Sequence, residues 1–191
     1  MITLLQEKYS RVKSLSAEFV QIYRAPGVAA RHEQGTVVLS KSRKMRWHYT
    51  QPEEKFFISD GSKVYLYVPA ERQVTRADIK EHDDIRASFA FFLGDLNLRR
   101  LFTLIEEPQN ENAVDAGNYL LRFIPKRPQT GFSELFVEVN PLNLQLRRIT
   151  IREYDGGRSD FLFSNVREDV AVSPSDFIFK VPPGVQVLEA R

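Results

Sequence analysis

Apolar and charged residues alternate along residues 44–49. Met45, Trp47 and Tyr49 point to one side of an extended chain, and Lys44, Arg46 and His48 to the other. Gln51-Pro52 ends that run. Phe56-Phe57-Ile58 follows, then a turn at Asp60-Gly61, then Val64-Tyr65-Leu66-Tyr67-Val68 up to Pro69. Period-two alternation punctuated by Pro and Asp-Gly predicts an antiparallel meander. The last of these strands has large apolar groups on both faces. A sheet with one wet face does not need that, so something apolar must cover the second face.

The same reading extends along the chain. A first helix is predicted over about Leu4 to Ser14, with Thr3 and Gln6 placed as a capping box and Leu5, Tyr9 and Val12 as its apolar stripe. Strands are predicted near 17–24, 34–40, 44–50, 55–59, 63–68 and 71–76, with Pro26-Gly27 as the first turn. The β pattern stops at about Lys80. His82-Asp83-Asp84 opens a helical stretch in which Ile85, Phe89, Phe92, Leu93 and Leu96 share one face, with Gly94 as a break. A short further helix carries Leu98, Leu101 and Phe102, and 108–118 reads as a loop. Strands resume at 118–124, 133–139, 143–153 and 159–167, with turns at Asn140-Pro141 and Asp155-Gly156-Gly157. The tail holds Phe177-Ile178-Phe179, the turn Pro182-Pro183-Gly184, and Val185 to Leu188.

The total is about eleven strands and three helices. The order helix, meander, helices, meander is α+β, in one domain over residues 1–191. Several late strands again carry two apolar faces: Tyr119, Leu121 and Phe123 oppose Leu120 and Ile124, and Phe161 and Phe163 oppose Leu162 and Val166. Many such strands suit a strongly curved sheet whose hollow side holds a helical insert, a ligand, or both. The segment 83–105, apolar on one face and interrupted at Gly94, has the pattern of a lid over that hollow.

Composition narrows the chemistry. With 27 basic and 25 acidic residues the net charge is only +2, which argues against a general electrostatic grip on nucleic acid. The cations of 44–49 also lie opposite the aromatics, so a solvated outer face over an apolar inner one explains them more simply than a nucleic-acid face. There is no cysteine, which removes disulfides, thiolate catalysis and cysteine-ligated zinc. No run of 18 apolar residues is present to span a membrane as a helix, and no signal peptide is visible, so the chain is either cytoplasmic or a mature exported domain with a new Met. His32, His48 and His82 are isolated from one another, and no nucleophile elbow, zinc-protease helix or phosphate-binding glycine loop occurs. The acidic pairs Glu53-Glu54, Asp83-Asp84 and Glu106-Glu107 sit at element ends and read as caps. The chain is expected to be no enzyme, and to need no cofactor or metal.

A family pattern runs through these residues. It comprises the first helix, Ser16-Ala17-Glu18-Phe19-Val20-Gln21, the stretch Gly35 to Tyr49, Gln51-Pro52, Ile58-Ser59-Asp60-Gly61 before Val64 to Tyr67, and the ending Phe177-Ile178-Phe179-Lys180-Val181-Pro182-Pro183-Gly184-Val185. Over nearly its whole length the chain resembles the outer-membrane lipoprotein carrier family, LolA, of the bacterial periplasm. The resemblance implies an open, unclosed antiparallel β-barrel with helices covering the concave face. It implies a periplasmic, non-enzymatic carrier that shields lipoprotein acyl chains. An inner-membrane ABC-type complex would release the cargo and an outer-membrane acceptor would receive it. The expected state is a monomer.

Family members usually carry Arg-Pro before the aromatic of this strand, an Arg tied to lid closure and cargo handover. Here Lys41-Ser42 stands in that place, so the resemblance implies that Lys41 or Arg43 is expected to take the role. The acceptor of the pathway is lipidated on an N-terminal Cys, and the lack of Cys favours carrier over acceptor. The expected cavity and lid residues are Trp47, Tyr49, Tyr65, Tyr67, Phe89, Phe92 and Leu93. The competing expectation is a periplasmic lipid- or glycolipid-binding or sensor module on the same scaffold, without catalysis. Whether the cargo is lipoprotein, free lipid or glycolipid is left open by the residues.

Overall fold

The computed structural model describes residues 1–78, 98–109, 111–126 and 132–189. Among these, helix α1 (Ile2–Arg11) leads into strands β1 (Ser14–Ala25), β2 (Val28–Ser40), β3 (Lys44–Gln51), β4 (Lys55–Asp60), β5 (Lys63–Val68) and β6 (Gln73–Asp78). A single helical turn, α2 (Leu98–Leu101), precedes β7 (Phe102–Glu106), β8 (Tyr119–Pro125), β9 (Glu134–Val139), β10 (Leu146–Arg152), β11 (Arg158–Glu168) and β12 (Gln186–Glu189). All twelve strands form one sheet in the order β12-β6-β5-β4-β3-β2-β1-β11-β10-β9-β8-β7. Two antiparallel meanders are thus joined through β1 and β11, and β12 adds to the edge in parallel with β6. The ends of the order, β12 and β7, do not pair, so the sheet is open.

The sheet is strongly bent. Trp47 on β3 and Phe161 on β11 have ring centroids 5.5 Å apart, although β2 and β1 lie between them. Three strand spacings in a flat sheet are about 14 Å. Only inward curvature brings those rings into contact. The side chains that converge on the hollow face form one continuous core, from Phe57 on β4 through Phe19, Phe161 and Val137 to Phe102 on β7. From the N-terminus, Ile2, Leu5 and Tyr9 of α1 join it. The backbone N–H of Leu146 donates to the Tyr9 hydroxyl at 3.0 Å, and Lys8 pairs with Glu168 at 2.6 Å, so two neighbouring residues of α1 fasten it to the sheet.

Several expectations need correction. The capping box at Thr3 and Gln6 does not form; the helix starts at Ile2 with Met1 as its cap and no side-chain bond there. It also ends at Arg11, because the Lys13 N–H donates to the Asp169 side chain and the Asp169 N–H to the Ser14 carbonyl, drawing the chain into β1. Phe102 belongs to a strand. Leu98, Leu101 and Phe102 mimic a helical stripe, but Phe102 and Leu104 alternate inward and Phe102 meets Phe123 edge-on at 5.8 Å. The part of the expected lid from 98 to 105 is therefore one helical turn and an edge strand, while 83–97, with Phe89, Phe92 and Leu93, lies outside the described residues.

Two segments of the chain itself cover the outer face. On the β3–β6 side the C-terminal tail crosses the sheet. The 3-10 turn Pro174–Phe177 packs on β3 and β4, Phe177 is buried, and Phe179 lies 5.4 Å from both Tyr65 and Tyr67. This is the apolar cover that the two-faced β5 requires. On the β8–β11 side the loop 111–118 is held by charge. Glu111 accepts from Arg152 at 2.6 Å and from Arg158 at 2.8 and 2.9 Å. Glu138, buried, pairs with Arg148 at 3.0 Å and accepts from the backbone N–H groups of Val114 and Asp115. Asp160 accepts from Thr150 at 2.6 Å and pairs with Arg158 and Arg24. Buried charges of this kind persist only when paired and hydrogen-bonded.

These contacts set an acid limit on stability. Burial by itself would raise the Glu111 carboxyl, but hydrogen bonds from Arg158 and Arg152 and the nearby Arg charges outweigh it and hold the group below the usual carboxylate range. Asp160 is lowered in the same way: against burial stand hydrogen bonds from Arg158 and Thr150. A folded pKa below the unfolded one gives stability that is present above the ordinary carboxylate range and is lost as pH falls through the lowered value. Thermal denaturation followed from pH 7 to pH 3 is expected to show a steep drop below about pH 4. Glu111→Gln should cost on the order of 2 kcal/mol at pH 7, between an exposed and a fully buried pair, and flatten that drop. An unchanged acid profile in the variant would contradict the assignment.

Candidate functional site

The inner face near the middle of the sheet is lined by aromatics. Phe19 meets Trp47 at 4.9 Å and Tyr49 at 4.9 Å, both edge-on, and Trp47 also reaches Phe161 and Phe163 at 5.5 and 6.4 Å. Edge-to-face pairs of this kind add about 0.5–1.5 kcal/mol each beyond area burial. Trp47 is 0% exposed. The alternation in β3 places Met45, Trp47 and Tyr49 on this side, beside Val37, Leu39 and Phe57 of the flanking strands.

Gly35 is the residue that permits the arrangement. It lies on β2 directly across from both Phe19 and Tyr49. A Cβ there would stand 1.9 Å from the His48 carbonyl oxygen. Having no side chain, Gly35 lets β3 approach and lets the two rings meet over β2.

The sequence-derived site residues separate into distinct groups. Trp47 and Tyr49 come together, with Phe19, Phe161 and Phe163 as partners; alternation puts Phe161 and Phe163 on one face of their own strand but does not place them against Trp47. Those three depend on the long-range register of β1 with β11, in which Phe19 faces Phe163 and Gln21 faces Phe161. The signal for them was the apolar stripe Leu15, Ala17, Phe19 of β1, but no local pattern shows that β1 pairs with β11. Tyr65 and Tyr67 lie on the opposite face, against Phe179, whereas Val64 and Leu66 of the same strand pack toward the inner core. Phe89, Phe92 and Leu93 fall outside the described residues.

Lys41 and Arg43 sit in the tight turn between β2 and β3, where Ser42 and Arg43 both adopt positive φ, 63° and 59°. The Lys41 ammonium donates to the Ser10 carbonyl in the last turn of α1 at 2.7 Å, and its backbone N–H donates to the Lys13 carbonyl at 3.2 Å. A cation bound to a helix-terminal carbonyl is favoured by the helix dipole. The turn is thereby fastened to α1.

Beyond Tyr49 the inner face becomes polar. The Tyr49 hydroxyl donates to Gln21 Oε1 at 2.8 Å, the Lys55 ammonium lies 4.3 Å over the Tyr49 ring, and the same ammonium donates to Glu33 at 2.6 Å. On the outer face there is a separate groove of about 630 Å³, lined in part by Ser16, Val38, Arg46, Val172 and Asp176, whose mixed polar lining differs from the aromatic inner face. His48 is on the outer side as well, bonded to Glu54 at 2.9 Å and stacked on Phe56.

An unclosed antiparallel sheet bent around an aromatic well defines a half-barrel with an apolar interior. Comparison with known proteins agrees. Residues 10–180 match the family described as "Outer membrane lipoprotein carrier protein LolA". A protein of Methylococcus capsulatus named "Outer-membrane lipoprotein carrier protein" is 27% identical over 181 residues, covering 94% of this chain and 83% of its own. Among solved structures, an uncharacterized conserved protein from Thermus thermophilus superposes with a TM-score of 0.61 at 13% identity, covering 99% of this chain and 97% of that one. A LolA superfamily protein from Nitrosomonas europaea superposes with a TM-score of 0.50 at 12% identity, covering 93% and 97%. The chain belongs to the LolA family of outer-membrane lipoprotein carrier proteins.

Gly35→Ala should cost about 3 kcal/mol or more, in the range of severe backbone or packing conflicts. Gly27→Ala meets nothing within 4 Å and carries only the cost of its positive φ, about 1 kcal/mol. Urea denaturation of the two variants side by side checks this; equal losses would show that the close approach at Gly35 is not what bends the sheet.

Proposed function

We propose that the protein is a periplasmic carrier that holds the acyl chains of lipoproteins against its aromatic inner face and shuttles them from the inner to the outer membrane. The observation that carries this reading is the convergence of Phe19, Trp47, Tyr49 and Phe161 across four bent strands, a wide apolar cluster on the inner side of the sheet. Family membership supports it. So does the chemistry. Each acyl CH₂ removed from water is worth about 0.8 kcal/mol, so a few chains supply a large driving force without catalysis. In this reading the whole chain works as one domain, helical segments cover the hollow face, and the protein is not an enzyme. Cargo comes from an ABC-type complex of the inner membrane and passes to an outer-membrane acceptor.

Lys41 is the handover residue of the proposal. Its bond to the Ser10 carbonyl ties the β2–β3 turn to α1, and one such bond, worth about 1 kcal/mol, biases a closed state about fivefold. The two parts of the reading are tested together. Titration with a palmitoylated peptide should saturate in the micromolar range; a folded protein that takes up no acylated peptide would sink the carrier reading. Transfer of the same labelled peptide to an acceptor should then slow in Lys41→Leu, recover in Lys41→Arg, and leave the Tm within a few degrees of wild type. Normal transfer by Lys41→Leu beside a stalled Arg43→Leu would move the role to Arg43.

A further inference from the structure

Along each of the central strands the inner face changes character at the same level. On β1 it runs Leu15, Ala17, Phe19 and then Gln21 and Tyr23; on β2 it runs Leu39, Val37, Gly35 and then Glu33 and Arg31. Gln21 is paired with Glu33 and Tyr23 with Arg31, so the polar residues meet across the strands. On β3 and β4 the pair Trp47 and Phe57 is followed by the pair Tyr49 and Lys55. The aromatic well therefore has a polar rim on one side, continuous with it through Tyr49.

The groups of this rim cancel one another's charge. Lys55 donates to Glu33 at 2.6 Å while lying over the Tyr49 ring, and Glu33 is only 8% exposed. The Tyr49 proton is committed to Gln21 Oε1. Among the described residues, the Gln21 amide N–H groups and the second Glu33 oxygen make no hydrogen bond, which leaves one donor group and one acceptor on the rim. Arg31 stands farther out, 3.7 Å from Glu33 and largely in solvent. The rim can donate and accept hydrogen bonds, but it offers no uncompensated buried cation, and its carboxylate faces the same space.

That combination selects a chemical class. A neutral ester or amide next to an acyl chain accepts from the Gln21 amide, and any N–H or O–H of its head group donates to Glu33. A free fatty-acid carboxylate finds the half-buried Lys55 already paired with Glu33 and lies beside the Glu33 charge, which costs more than a polar contact returns. We propose that Gln21, Glu33, Tyr49 and Lys55 form a head-group subsite that accepts acyl chains linked through neutral ester or amide groups and rejects fatty-acid carboxylates. This rests on the reading of the inner face as an acyl-chain site and adds its head-group specificity.

The test uses the full chain and two probes with the same acyl chain, monopalmitoylglycerol and sodium palmitate, at pH 8 and below their micellar concentrations. Wild type should bind the glyceride about tenfold more tightly, the equivalent of roughly 1.4 kcal/mol. Glu33→Gln removes the carboxylate bound to Lys55 and should bring the two affinities together by improving palmitate. Lys55→Met leaves Glu33 with only the solvent-exposed Arg31 beside it and should widen the gap about tenfold further. The glyceride carries no charge, so its affinity should move less than that of palmitate in either variant. Opposite movements of the ratio are something general destabilisation does not produce. If Glu33→Gln does not fold, the widening in Lys55→Met decides alone. A ratio unmoved by either variant, or moved the same way by both, overturns the head-group subsite while leaving the acyl site standing. Failure of both probes to bind overturns the subsite together with the reading on which it rests.

Discussion

The contact of Trp47 with Phe19 and Phe161 is the constraint on which the rest of the structure depends. It joins side chains from β3, β1 and β11, which a flat sheet would hold too far apart to touch. The bend that allows it fixes which face is hollow, and therefore where α1 packs and where β7, at the far edge, can reach the common core through Phe102. Gly35 is part of the same constraint, since the approach of β3 to β2 leaves no room for a side chain there.

A second consequence is the division of labour between faces. The outer face is closed by two unlike devices: aromatic packing by the C-terminal tail on one half, and a carboxylate–guanidinium cluster holding 111–118 on the other. The first is insensitive to charge and the second is not. The inner face, by contrast, gathers the buried aromatic cluster on which the proposed carrier function rests.

Much of this was legible in the residues. The alternation in 44–49 placed Trp47 and Tyr49 on one side, and the two-faced β5 called for an apolar cover. The identity of that cover was not legible, because Phe177 and Phe179 lie far along the chain from Tyr65 and Tyr67 and no local pattern joins them. For the same reason the two tyrosines were grouped with Trp47, although the pleat sends them to opposite faces of the sheet. Phe102 misled because Leu98, Leu101 and Phe102 satisfy helical spacing while Phe102 and Leu104 satisfy strand spacing, and only packing against Phe123 decides between them. The fastening of Lys41 to α1 needed the spatial position of the helix C-terminus, although the charge at that position was visible.

Because Trp47 is the only tryptophan, the location of bound acyl chains can be read from its fluorescence. A palmitoylated peptide carrying bromine atoms midway along the chain, a short-range quencher, should quench Trp47 as it saturates the protein, whereas the same peptide without bromine should not. Saturable binding of both peptides with no difference in Trp47 emission would place the acyl chain elsewhere and contradict the central claim that the bent aromatic face is the carrier's binding surface.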